Sequence, residues 1–413
     1  MNPLNAQFLC RSMTSCGKHA LEHLPLELAA LGAKKPLVIT SKSISTSKRT
    51  THVVNAFKES GLTIGMVDSI TASSGIDTLD ELTTIYQDKG FDAILALGGP
   101  GVANVAKVLN IAVSETDGNL RTLAGANKLT RPLNPLFYLP SGPGSGFETA
   151  GEARVDSLKF SSMFLMPDKV IIDPRLMAAD TLLPLAAQAM ATLACCAEAL
   201  CTTCNPLVRA YAATGITLVI NNLEPALAPL FTPVETRSFF PRANPPNSEL
   251  TALATAAAIS GYLWSNCPGL MAVEMGHALG SLCPTAPGLL MGVLLPTVIE
   301  YHHLQQTVEP HSMDRILLAL AGLDCYCTTP EGQRFDLALA RIRQLTNTLF
   351  LNSSGAIPRT LGDTDIAPGK LEQLAAQWAM DQASGQGSHA PGIILAHAHA
   401  GQPIKQGGGH VPA

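Results

Sequence analysis

The stretch FDAILALGGPGVANVAKVL at 91–109 places three glycines, Gly98, Gly99 and Gly101, between an apolar strand-like run and a helix-like run. Glycines there remove side chains where backbone N–H groups would approach a phosphate. The helix that follows presents the positive end of its dipole. Asn104 stands where G-x-G-x-x-G would end in Gly or Ala, so a plain tight βα turn accounts for the glycines equally well. A second turn, PSGPGSG at 140–146, follows another apolar run. Two glycine-rich turns at the ends of two strands are what a doubly wound sheet uses to hold a dinucleotide. Further along, Cys195, Cys196, Cys201 and Cys204 fall within ten positions. Thiolates so placed can ligate zinc or an iron–sulfur cluster, and a C-x2-C at a helix end can have a lowered thiol pKa. The spacing fits no defined motif, and cysteine also packs as a small apolar residue. Glu198 and Glu274 lie among apolar neighbours and need partners if buried. His277 is the single histidine between Thr181 and Glu300, a setting in which a core role is the ordinary one. His302, His303, His389, His397, His399 and His410 read as exposed.

The elements that must hold these residues divide in two. Across 1–178, strand patterns (KPLVIT at 35–40, Thr63–Val67, Phe91–Leu97, Leu136–Leu139, KVII at 169–172) alternate with helical ones at Val53–Ser60, Asp77–Lys89 and Val102–Val113. Such alternation predicts an α/β domain, a Rossmann-like parallel sheet of the nucleotide-binding type. Across 179–381 the period-two signal is absent, and apolar, Ala-rich helical stretches predict an all-α domain. Residues 382–413, rich in Gly and His, read as a loosely ordered tail. The chain has 413 residues, of which 14% are charged, and only nine charged side chains fall between Thr181 and Glu300. Composition therefore excludes a disordered chain. The uncharged runs 181–197 and 250–273 are interrupted by Pro184, Gln188, Asn266 and Pro268 and lack basic flanks, so buried helices are expected, not membrane spans. A net charge of −5 without a basic block argues against nucleic-acid partners. No secretory signal pattern is visible at Met1, and ten cysteines in such a chain are expected to be reduced, in the cytoplasm.

Five segments in order carry a specific resemblance. GGPGVANVAK looks like the GGGSxxDxAK segment of the iron-dependent (group III) alcohol dehydrogenase family, and PSGPGSGFE is similar to its PTTAGTGSE. PDKVIIDPRL at 167–176, MATLACCAEALCTTCNPL at 190–207 and VEMGHALGSLCPTAPGLLMGVLLPTVIEYH at 273–302 resemble its later strand and helix motifs. Order and spacing hold from about residue 8 to about residue 381. The resemblance implies a dehydroquinate-synthase-like two-domain architecture: an α/β dinucleotide domain, then a helical domain, with a divalent iron or zinc held between them by an Asp and three His. That metal would polarise an alcohol oxygen for hydride transfer to NAD(P).

Carried over position by position, the four ligands are Ala191, Cys195, Val273 and Pro287, so no carboxylate and no imidazole remains and iron or zinc is expected to be absent. His277 matches a family histidine near the substrate and is the candidate catalytic residue. The implied cofactor-binding positions are Ser41, Gly98, Gly99, Gly101, Asn104, Lys107, Ser141, Gly142, Gly144 and Phe147. Phe147 either blocks a nicotinamide or is a packing residue. Ser41 stands where the family often has Asp, and with Lys42 beside it leaves room for a 2′-phosphate, so NAD or NADP is allowed. The expectation is an NAD(P)-linked alcohol or aldehyde oxidoreductase by descent, catalytically degenerate or metal-independent. The alternative is a non-catalytic assembly subunit beside an active paralogue. Either form is expected to be a homo-oligomer.

Overall fold

In the computed structural model, residues 7–71, 74–115, 119–178, 181–202, 205–231, 247–309, 311–381 and 390–404 are described. Cys204, His389 and His410 lie outside them. The chain forms two compact units.

The first unit is built on six parallel strands: β1 (Met13–Cys16), β2 (Pro36–Ile39), β3 (Gly65–Val67), β4 (Ala93–Gly98), β6 (Leu136–Pro140) and β9 (Lys169–Ile172). They lie in the order β1-β9-β6-β4-β2-β3. β2, β4, β6 and β9 are buried along their whole length, as parallel strands covered on both faces must be. That burial explains the unbroken apolar runs that mark them in the sequence. β1 has no such run, because it is an exposed edge strand whose register is set by β9. A smaller sheet of β5 (Gly125–Ala126), β7 (Glu152–Val155) and β8 (Leu158–Ser161) adds a hairpin turning at Asp156, which adopts φ 51°. Helices α1 (Leu24–Ala30), α2 (Lys42–Ser45), α3 (Lys48–Ala56), α4 (Ile76–Asp88), α5 (Pro100–Ser114) and α6 (Leu120–Leu123) connect the strands. One core joins Leu24 and Leu28 of α1 and Val53 of α3 to Val38, Leu95, Phe137 and Ile171 of the sheet. From β2 the chain steps outward to β3, then returns past β2 to β4. The reversal opens a crevice at the carboxyl ends of β2 and β4, where a doubly wound sheet receives its ligand.

The remaining helices are α7 (Leu182–Thr202), α8 (Pro206–Phe231), α9 (Asn247–Asn266), α10 (Met271–Gly280), α11 (Pro287–Leu304), α12 (Ser312–Thr328), α13 (Arg334–Asn352), α14 (Pro368–Asp381) and α15 (Ala390–Ala400). Two of them correct the sequence reading. The helix α9, placed in the helical half on chain order, belongs to the α/β unit. Its Tyr262 hydroxyl donates to the Ser12 carbonyl at 2.6 Å, and Asn266 exchanges hydrogen bonds with the backbone of Leu9. Within the stretch read as a loose tail, 390–400 is helical. Ile394 and Leu395 are buried there, and α15 packs on α11 and α14. The rest of the helical unit centres on α7 and α11. Among the described helices α7 is long and apolar enough to cross a membrane, but most of its apolar stretch is buried within the fold.

Candidate dinucleotide site and the metal positions

The α/β unit brings Ser41, Gly98, Gly99, Gly101, Ser141 and Gly142 to the carboxyl ends of three neighbouring strands, β2, β4 and β6. Gly99 is the N-cap of α5 and Pro100 opens the helix, where its fixed φ costs nothing. The N–H groups of that first turn have no partner within the helix. Neither Gly99 nor Gly101 needs glycine for its backbone angles. A Cβ at Gly99 would meet nothing within 4 Å, and one at Gly101 only the Thr71 carbonyl at 3.9 Å. The fold itself therefore does not demand these two glycines, and they leave the space a phosphate would use. Gly98 is different, since a Cβ there would come 2.6 Å from Val102.

The second turn is explained by packing. Gly144 (φ 84°) and Gly146 (φ 90°) adopt left-handed backbone angles, and a Cβ on Gly144 would lie 2.6 Å from Ala257 of α9. Opposite, a Cβ on Gly261 would lie 2.0 Å from the Gly146 carbonyl oxygen. The turn and α9 thus touch backbone to backbone.

Four of the sequence-predicted cofactor residues are engaged inside the unit. Gly144 is one. Lys107 is buried, and its ammonium donates to the carbonyls of Phe147 (2.6 Å), Ala150 (2.6 Å) and Glu152 (3.1 Å), which uses all three N–H bonds. Burial pulls its pKa down to about 7, against the pull of the Glu148 and Glu152 carboxylates. Asn104 donates to the Pro100 carbonyl (3.1 Å) and accepts from the Arg154 amide (2.7 Å). Phe147 is buried edge-on to Trp264, with ring centroids 4.9 Å apart, which is the packing alternative. Glu148 is buried as well, its carboxyl pushed up by burial, and it accepts from the Ser145 amide at 2.8 Å.

Two charged residues at this edge were not singled out from the sequence. The Asp68 carboxylate, just beyond β3, accepts from Ser45 Oγ (2.6 Å) and Lys42 Nζ (3.0 Å), and these hydrogen bonds hold its pKa down. Lys42 is therefore already paired. Arg49, at the start of α3, donates to the Ser141 carbonyl at 3.4 Å. Neither belongs to a motif: the pairing of β3 with β2 brings Asp68 to this edge, and α3, which follows β2, brings Arg49.

In the helical unit the four positions that the resemblance assigns to metal ligands hold a different kind of contact. Ala191 lies on α7 against α11, where a Cβ on Gly288 would come 3.1 Å from the Ala191 methyl and 2.0 Å from the Ala187 carbonyl oxygen. Pro287 opens α11 and packs on Gly280 of α10, where a Cβ would come 2.6 Å from its ring. Cys195 and Val273 are buried. A methyl, a thiol, an isopropyl group and a proline ring do not form the donor set of a structural or catalytic zinc or iron site. Among the described residues, His311, Asp314 and Glu331 form the group of three such donors within reach of one another, and none of the four positions takes part. His277 lies half-buried in the last turn of α10, four residues after Val273 and so on the same helix face.

The other candidates fall into structural roles. Burial raises the Cys196 and Cys201 thiols far above the usual range and Cys267 to about 12, which keeps them protonated and inert. Cys201 packs against the sulfur of Met313. Glu198 accepts from the amides of Met271 (2.5 Å) and Ala272 (2.9 Å), so it caps α10 from the neighbouring α7. His302 adds a contact to it at 3.3 Å.

Residues 12–174 match the sequence pattern of the iron-containing alcohol dehydrogenases. The NAD-dependent methanol dehydrogenase of Bacillus methanolicus is 22% identical over 369 residues, covering 87% of this chain and 89% of that protein. Over residues 12–174 the chain is similar to the iron-containing alcohol dehydrogenase family. The 1,3-propanediol dehydrogenase of Citrobacter freundii is 25% identical over 308 residues, 71% of this chain and 75% of that one. The alcohol dehydrogenase from Oenococcus oeni superposes with a TM-score of 0.80 over 95% of this chain and 100% of its own, at 20% identity, which shows a common fold. Both relatives are alcohol dehydrogenases by name.

Proposed function

We propose that this chain is a member of the iron-containing alcohol dehydrogenase family that binds NAD(H) at the carboxyl edge of its sheet but does not carry out metal-assisted alcohol oxidation. The observation that carries the second half is the content of the ligand positions. Ala191, Cys195, Val273 and Pro287 offer one thiol between them, and Ala191 and Pro287 are held where α7, α10 and α11 close on glycine. The first half rests on Gly99 and Gly101, which the fold leaves bare without needing to, and on the name of the methanol dehydrogenase relative. NAD(H) is favoured over NADP(H) because Asp68 occupies Lys42 and would repel a 2′-phosphate. A bound nicotinamide would supply a hydride acceptor or donor. This chain's own residues would bind and orient its adenosine diphosphate half. His277 is the residue left to handle a proton should a small alcohol or aldehyde react. The protein is read as a cytoplasmic homo-oligomer, serving as a dinucleotide-binding or assembly subunit.

The test is in two parts. Calorimetry with NADH and NADPH is expected to show binding with NADH preferred. Elemental analysis of protein purified from iron- and zinc-supplemented medium, with turnover assays on small alcohols and aldehydes, is expected to show well under one equivalent of metal and no chelator-sensitive activity. One equivalent of iron or zinc, lost to a chelator together with turnover, would defeat the reading.

A further inference from the structure

Among the described residues of the α/β unit, Arg49 is the half-buried arginine without a carboxylate partner. Arg11, Arg154 and Arg175, the other half-buried ones, pair with Asp168, Glu152 and Asp173 respectively, at 2.6–3.4 Å. Among the described residues Arg49 has one hydrogen bond from its side chain, the 3.4 Å contact to the Ser141 carbonyl. A guanidinium has five N–H donors in a rigid fork, so most of its capacity is unused. Holding a half-buried cation without a counter-ion is costly unless something else compensates.

Its position says what that is. Arg49 is the second residue of α3, which follows β2, and its amide is held by the N-cap Ser47 Oγ at 3.3 Å. Ser141 follows β6. In the sheet β4 lies between β2 and β6, so the side chain reaches across the carboxyl end of β4, where Gly98 begins the turn into α5. The strand it crosses leads directly into Gly99 and Gly101, the glycines that packing does not explain. Lys107, the cation the motif would supply, is fully used by three carbonyls.

We propose that Arg49 is the phosphate-binding residue of this edge, its guanidinium taking the oxygens of a diphosphate group laid against the Gly99–Gly101 turn. A planar fork matched to phosphate oxygens is the geometry arginine provides and lysine does not. The inference deepens the NAD(H) reading and rests on it for the ligand's identity, but not for its charge.

Calorimetry with NADH, ADP, inorganic pyrophosphate and adenosine, on the wild type, Arg49→Gln, Arg49→Lys and the off-site control Arg121→Gln, tests it. Loss of a charge-assisted hydrogen-bond pair is expected to weaken NADH and ADP roughly tenfold or more in Arg49→Gln. Arg49→Lys should recover part of this, while adenosine binding and the melting temperature stay unchanged. Equal ADP affinity in wild type and Arg49→Gln overturns the assignment and leaves the NAD(H) reading standing. Binding of ADP or pyrophosphate but not NADH, lost in Arg49→Gln, upholds Arg49 and removes the NAD(H) reading. No binding of any phosphate ligand by the wild type removes both.

Discussion

Lys107 shows what a motif match can and cannot say. The sequence identifies it through its place in the GGPGVANVAK segment, but the direction of its side chain depends on the strand and loop that cover α5, from another part of the chain. In the fold it ties α5 to residues 147–152. Lys107→Met strips three buried carbonyls of their donor and is expected to destabilise the protein by about 3 kcal/mol in urea unfolding, the range for orphaned buried partners. Asp68 is the reverse case, unmarked in the sequence and placed at the site by the pairing of β3 with β2. Asp68→Ser releases Lys42 and removes a negative charge, so the NADPH-to-NADH affinity ratio should rise, by up to roughly tenfold, in parallel titrations. Acid sensitivity has an equally local source. Hydrogen bonding from Arg175 holds the Glu22 pKa down at about 2, against an ordinary value near 4.5. A carboxylate depressed in the fold contributes stability above its unfolded pKa and loses it as pH falls through the folded one. The stability gap between wild type and Glu22→Gln should therefore be present at pH 6 and close as pH drops from 4.5 towards 2, as followed by thermal melts.

Among the elements, the strands were legible and the allegiance of the helices was not. The runs in β2, β4, β6 and β9 can be read from sequence because burial on both faces demands continuous apolar residues. Periodicity also finds α9 as a helix, yet it gives no sign that a segment between two helices of one unit packs in the other. That is decided by small residues that meet across it, Gly261 on Gly146 and Ala257 on Gly144. Gly261→Ala would drive a methyl into the Gly146 carbonyl. Overpacking of this kind costs about 1–3 kcal/mol. It should also displace the second glycine-rich turn, so that a lower melting temperature is accompanied by weaker NADH binding. If binding were unchanged, the turn would not be part of the site. α15 was missed for a related reason, since Gly- and His-rich flanks conceal the short Ile393-Ile394-Leu395 core.

At the scale of the whole molecule, packing fills the positions that the resemblance assigns to metal ligands. A helical unit arranged around an Asp and three His carries polar groups that only a metal can satisfy, and such a fold gains stability from the ion it binds. Here the same positions are hydrophobic or small. α7, α10 and α11 close on one another through Gly276, Gly280, Gly288 and Gly292, and the Glu198 carboxylate caps α10 with no help from an ion. A binder of the native state present at a hundred times its dissociation constant would add about 2.7 kcal/mol. The expected result for this chain is none of that: melting curves in excess iron or zinc, in buffer and in chelator should coincide. Glu198→Ala should instead lower all three together by the cost of two unsatisfied amides, on the order of 2–3 kcal/mol. A rise of several degrees with metal in the wild type would mean that the helical unit still holds an ion, and that the ligands lie outside the four positions.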